Sequence, residues 1–145
     1  MRIAFYAPLK APDHSVPSGV RAMARLLIRA LQAGGHEVTV ASGLRRYAEH
    51  DTDQAPIRAA AKSETDRLRE AWKHAPHRAP DLWFTYHLYY RAPDWIGPAM
   101  ARHLDIPYVV AEASFAMKRA TGVWSIGHDA VGQALRLAEL VLALA

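Results

Sequence analysis

The opening segment, residues 2–41, constrains the fold more than any other part of the chain. Residues 2–7, Arg-Ile-Ala-Phe-Tyr-Ala, form an apolar run of strand length that Pro8 closes. A loop rich in Pro, Asp and Ser follows, and Ser18 stands where a helix N-cap is expected. Val20, Met23, Ala24, Leu27, Ile28 and Leu31 then recur at helical spacing and make one apolar stripe. Gly34-Gly35 supplies a left-handed stop, and residues 37–41 read as a second strand rich in β-branched side chains. Strand, helix and strand at these lengths form a βαβ unit. Its two strands must therefore be parallel, with a right-handed crossover between them.

The alternation continues to the end of the chain. A polar loop around 43–55 leads to a helix expected over 57–75, and a strand over 82–86 follows Pro80-Asp81. An aromatic loop holding His87, Tyr89 and Tyr90 precedes a helix that opens near Pro93-Asp94 and runs to about 104. Asp105-Ile106-Pro107 turns into a fourth strand at 108–111. An irregular stretch spans 114–127, a helix 128–138 and a fifth apolar strand 140–144. The fold class is α/β, a Rossmann-like doubly wound and mostly parallel sheet with helices on both faces. With 145 residues the chain has the length of one domain. It stops in a bare apolar strand where polar, frayed ends are usual, so residues 1–145 are expected to be a truncated domain, the alternative being an edge or central strand at a natural C-terminus.

Composition narrows the chemistry. With no cysteine, thiolate catalysis, disulfides and Cys-ligated metal sites are excluded. A formal charge of +4 is a mild basic bias that suits anionic ligands and falls short of a nucleic-acid-binding stripe, so no nucleic-acid partner is expected. No apolar run reaches the roughly 18 residues of a membrane span. The expectation is a cytoplasmic protein, with peripheral contact to the inner face of the membrane left open. The histidines show no H-E-x-x-H spacing, and no metal site is expected. No G-x-G-x-x-G follows the first strand and no phosphate-loop motif occurs, which disfavours nicotinamide enzymes and excludes this class of NTPase.

In open parallel sheets, ligands sit beyond the carboxyl ends of the strands. Pro17-Ser18-Gly19 opens a helix there, where backbone N–H groups and the helix dipole suit a phosphate or a sugar hydroxyl. A plain N-cap with a glycine for close packing is the competing account. His87 ends the third strand beside Tyr86, Tyr89 and Tyr90, rings suited to stacking on a sugar; a capping histidine packed under tyrosines is the alternative. Glu112 and Ser114 end the fourth strand at the same edge, with Glu112 free to act on a ligand or to pair with Lys118 or Arg119. The helix over 57–75 carries an apolar stripe, Ile57, Ala61, Leu68, Trp72 and Ala75. Its basic face holds Arg58, Lys62, Arg69 and Lys73, which reads as a solvated face braced by pairs such as Asp66–Arg69 and Glu70–Lys73, or as one turned to anionic lipid.

Taken in order, several stretches resemble the N-terminal domain of family 4 (group 1) GT-B glycosyltransferases. They are residues 1–8 (MRIAFYAP), 17–21 (PSGVR), 30–40 (ALQAGGHEVTV), 79–87 (APDLWFTYH), 101–112 (ARHLDIPYVVAE) and 138–144 (AELVLAL). The resemblance implies a half-enzyme that transfers a sugar, with retention, from a nucleotide-sugar donor to a glycan, lipid or small-molecule acceptor. The nucleotide-sugar is a co-substrate, and no cofactor is implied. By analogy, Ser18 and Gly19 approach the donor phosphate or sugar and His87 and Glu112 act on the acceptor side. Tyr86, Tyr89, Tyr90 and Ser114 line the acceptor. Many relatives carry a histidine just after the fourth strand, where Ala113 and Ser114 stand here. Most nucleotide contacts in such enzymes come from a C-terminal donor-binding domain that residues 1–145 do not include, and alone the chain is expected to be inactive. The alternative is a non-catalytic Rossmann-like binding module.

Overall fold

The computed structural model describes residues 1–45 and 47–144; Arg46, in the loop expected at the carboxyl edge, and Ala145, closing the last apolar stretch, lie outside the described residues. Strands β1 (Arg2–Tyr6), β2 (Glu37–Val40), β3 (Leu82–Leu88), β4 (Tyr108–Ala113) and β5 (Leu140–Leu142) build one sheet in the order β2-β1-β3-β4-β5. Every pairing is parallel. The helices are α1 (Gly19–Ala33), α2 (Gln54–His74), α3 (Gly97–Leu104) and α4 (Ser125–Leu137). The fold is thus a Rossmann-like doubly wound α/β sheet, and its strand order reverses between β1 and β3, where such folds open a ligand crevice.

Two cores lie on opposite faces of the sheet. Ile3, Phe5, Phe84, Tyr86, Val109 and Ala111 face α1, which covers them with Ala24 and all the other members of its apolar stripe. Ala4, Tyr6, Trp83, Tyr108 and Val110 face α2, α3 and α4 through Ala61, Leu68, Met100, Val131 and Ala134. Residues alternate between the two cores along β1 because successive strand side chains point to opposite faces. Ser18 caps α1 by accepting from the Arg21 N–H at 3.1 Å, and Gly35, at φ 90°, supplies the left-handed turn that ends it.

The helix boundaries shift where side chains override local signals. α2 begins three residues before 57, because Gln54 is buried and fixed there, donating to Asp51 O and Val123 O and accepting from Gly127 N–H. α3 begins at Gly97 and not near Pro93, because the Asp94 carboxylate accepts from the Ile96 and Gly97 N–H groups at 3.0 and 2.7 Å. Among the described residues the ion pairs that brace α2 are Lys62–Asp66 and Glu64–Arg67, with the His74 ring 3.8 Å from Glu70, in place of the expected Asp66–Arg69 and Glu70–Lys73. Each joins positions i and i+3 or i+4, and pairs of this kind on a helix surface differ by under about 1 kcal/mol.

Asp94 is the hub of the α2–α4 side. It is 2 % exposed and also accepts from Thr85 Oγ1 at 2.5 Å and Tyr108 OH at 2.8 Å, while Trp83 Nε1 donates to Thr85 at 2.9 Å. Burial pushes its carboxyl pKa upward, against the hydrogen bonds that favour its ionised form. Gly97 packs directly on this hub: a Cβ there would lie 2.7 Å from Tyr108 Cε2 and closer still to the Asp94 carboxylate and the Trp83 indole nitrogen. Gly97→Ala is therefore expected to cost about 3 kcal/mol or more in urea unfolding, since none of these neighbours has room to move. Gly19→Ala, with nothing within 4 Å of the added methyl, is expected to stay within about 0.5 kcal/mol of the parent in the same experiment.

Candidate functional site

β3 and β4 both end in a backbone irregularity at the same level. Tyr86 pairs with Ala111 and Leu88 with Ala113, so His87 and Glu112 lie opposite one another in the ladder. Both adopt left-handed backbone, each at φ 62°. This resets the side-chain alternation. Leu88 and Ala113 turn toward the α2–α4 core, where strict alternation would have sent them to the α1 side. A non-glycine residue in this region costs about 1–3 kcal/mol, and two side by side mark a place held in position by its surroundings.

His87 is half-buried. Burial lowers its pKa below the ordinary histidine value, and the nearby Glu112 charge opposes that shift without cancelling it. The imidazole is therefore neutral near pH 7, with one ring nitrogen to donate and one to accept. Glu112 does not pair with Lys118 or Arg119 among the described residues. Its carboxylate accepts instead from the Leu144 N–H and so ties the exit of β5 to the end of β4. Ser114 follows, exposed, with its own N–H donating to Leu88 O at 3.0 Å.

From His87 a chain of rings runs outward, each meeting the next edge to face. His87 lies 5.6 Å from Tyr86 and 6.1 Å from Tyr89, Tyr89 lies 5.5 Å from Tyr90, and Tyr90 lies 5.3 Å from Trp124. The arginines Arg91 and Arg119 close over this row, at 4.7 Å from the Trp124 and Tyr90 rings respectively. Arg91, and after it Arg119, hold the Tyr90 hydroxyl below its ordinary pKa. Tyr86 needs a correction to its expected role. It is 4 % exposed and packs in the core beneath α1, because its place in β3 points it to that face, so it supports His87 and does not line an open surface. Tyr89 and Tyr90 are half-buried and keep part of each ring accessible.

Ser18 and Gly19 lie at the carboxyl end of β1, the strand beside β3. Ser18 is occupied as the N-cap, as the plainer account expects. Gly19 is different: packing within the chain does not require it, since a methyl there meets nothing within 4 Å. The loop before it is latched by α1 itself, with Arg21 donating to His14 O and Arg25 to Pro12 O, each at 2.7 Å. Seven of the eight candidate residues thus lie along the carboxyl edge of the adjacent strands β1, β3 and β4.

Arg91, Arg119 and Trp124 were not singled out as site residues from the sequence. A signal was present: both the 89–92 and 114–127 loops combine aromatic and basic residues and follow strands that a doubly wound sheet places side by side. Among the described residues no group of three or more His, Asp and Glu side chains could hold a metal ion, and no helix is long and apolar enough to cross a membrane. No protein-family model and no curated protein matches this chain.

The His87–Glu112 pairing has a measurable signature. In NMR titration the His87 ring is expected to protonate below the ordinary histidine range, and Glu112→Gln is expected to lower that midpoint further by removing the charge that opposes burial. Because the folded pKa lies below the unfolded one, His87 should make stability fall as pH drops through about 6.5, until the folded histidine is itself protonated. A midpoint unmoved by Glu112→Gln would show that the two groups do not interact.

Proposed function

We propose that this chain is the acceptor-side domain of a retaining GT-B glycosyltransferase, working with a second domain that holds the nucleotide-sugar donor. The observation that carries the reading is the left-handed His87–Glu112 pair at the carboxyl edge. A neutral imidazole and a carboxylate stand together beside half-buried tyrosines, one strand away from an open helix N-terminus at Gly19. This combination suits a polyhydroxylated acceptor. Aromatic faces take the apolar side of a sugar ring, while His87 and Glu112 exchange hydrogen bonds with hydroxyls. The open position at Gly19 lets a donor phosphate approach the first N–H groups of α1 without meeting a side chain. Leu140 and Val141 on the edge strand, 51 % and 48 % exposed, offer apolar surface for contact with further protein.

In this reading Ser18 shapes the helix N-terminus and Gly19 admits the donor. His87 and Glu112 orient the acceptor hydroxyl, Tyr89 and Tyr90 stack on its ring, and Ser114 lines the rim. No metal or cofactor takes part in the scheme. Stabilisation of the leaving diphosphate falls largely to the second domain.

Expressed from its uninterrupted native reading frame and given UDP-, GDP- or ADP-sugars with candidate acceptors, the protein is expected to release nucleoside diphosphate in an acceptor-dependent way. Gly19→Ala and His87→Ala should each lower kcat/KM about tenfold or more, and Gly19→Ala should do so at unchanged stability. Sugar binding without any turnover, unaffected by Gly19→Ala, would instead assign the chain as a non-catalytic binding module.

A further inference from the structure

A groove of about 580 Å³ runs across the outer side of the molecule between α2, α3 and the middle of α4, on the face of the sheet opposite α1. That is within the size range of small-molecule sites. Its walls carry Arg58, Lys62 and Arg69 from α2 and Arg102 from α3, against two carboxylates, Asp66 and Asp94. Asp94 already accepts four hydrogen bonds from within the fold. Among the described residues Asp66 meets only Lys62, at 3.2 Å, in an exposed pair worth about 0–1 kcal/mol that a stronger anion would displace.

Two of the cations are held in place by the fold. The Arg58 guanidinium lies over the Trp95 ring, 5.1 Å from its centroid, and Trp95 itself lines the groove. Arg69 is half-buried, and its Nε is shielded from solvent with no acceptor among the described residues. The shielded Nε means that the Arg69 stem is packed, and its side chain lines the groove with less freedom left to lose. Cations immobilised before binding lose less entropy when a ligand arrives. The second large cavity, about 610 Å³ beside β2, is lined by Arg2, Arg67 and Arg78, and two of these are already engaged: Arg2 Nε donates to Ala79 O and Arg67 pairs with Glu64.

We propose that this groove is a binding site for a small soluble molecule bearing a phosphate or diphosphate group, gripped by Arg58, Arg69 and Arg102 with Lys62 at the rim. It is separate from the carboxyl-edge site and does not depend on the function assigned there. The sequence already places Arg58, Lys62 and Arg69 on one face of α2; what the fold adds is Arg102 across the groove and Trp95 beneath Arg58.

The test is two-dimensional NMR and calorimetry of residues 1–145 with inorganic pyrophosphate at fixed ionic strength. Saturable one-to-one binding is expected, with the largest shifts at the Trp95 indole N–H and the backbone of Arg58, Ala99 and Ala130. Arg69→Gln and Arg102→Gln should each weaken it about tenfold, and the exposed Arg102 provides a variant with little bearing on folding. Shifts confined to Gly19 and its neighbours would place pyrophosphate at the carboxyl edge and overturn the assignment. Affinity unchanged in both arginine variants would overturn it too. So would flotation with phosphatidylglycerol vesicles in the absence of pyrophosphate binding, which would make the anion a lipid headgroup at a membrane surface.

Discussion

A carboxylate buried away from water is tolerable only where every lone pair it presents is met, and Asp94 shows what meeting them requires. Its four donors come from the middle of β3, the start of β4 and the N–H groups of Ile96 and Gly97 where α3 begins, so one side chain ties two central strands to the helix that crosses them. The aromatic turn at 89–92 lies between β3 and this anchor and hangs from it. Trp83 and Thr85 extend the network along the inner face of β3, and Gly97 leaves the space it occupies. Such a network rigidifies when complete and is costly when any member is lost. The position of the carboxyl-edge loops follows from it.

That anchored frame accounts for the strain at His87 and Glu112. The ladder is regular up to Tyr86 and Ala111 and resumes at Leu88 and Ala113, so the left-handed residues are pinned from both sides. Glu112 is held further by the backbone beyond β5. The same constraint turns Tyr86 inward and leaves Tyr89 and Tyr90 outward, where Arg91 and Arg119 cover the row of rings. A neutral imidazole, a carboxylate and edge-to-face tyrosines then share one edge with the open N-terminus of α1.

Charge is distributed unevenly between the two faces of α2. Ala61, Leu68 and Trp72 are absorbed by the sheet, and the opposite side divides between solvated pairs and the groove shared with α3. Helical periodicity alone describes that basic face as uniform. Packing makes it two environments, since only the positions that look across at Arg102 and Trp95 are brought together with other cations.

The sequence by itself determined the α/β class, the five strands and four helices in order, the apolar stripe of α1, its Ser18 cap and its glycine stop. All of these rest on interactions within a few residues, where spacing and propensity act directly. The carboxyl-edge position of Ser18, Gly19, His87, Glu112 and Ser114 was equally legible, because parallel topology fixes where strands end. Tertiary structure alone decided that Tyr86 is core and that Gln54 opens α2 early. It alone decided that Glu112 bonds the chain after β5 and not an arginine. Each of these depends on a partner 32 to 73 residues away in the chain or on the face to which a neighbouring strand commits a side chain. Local spacing carries no information about either.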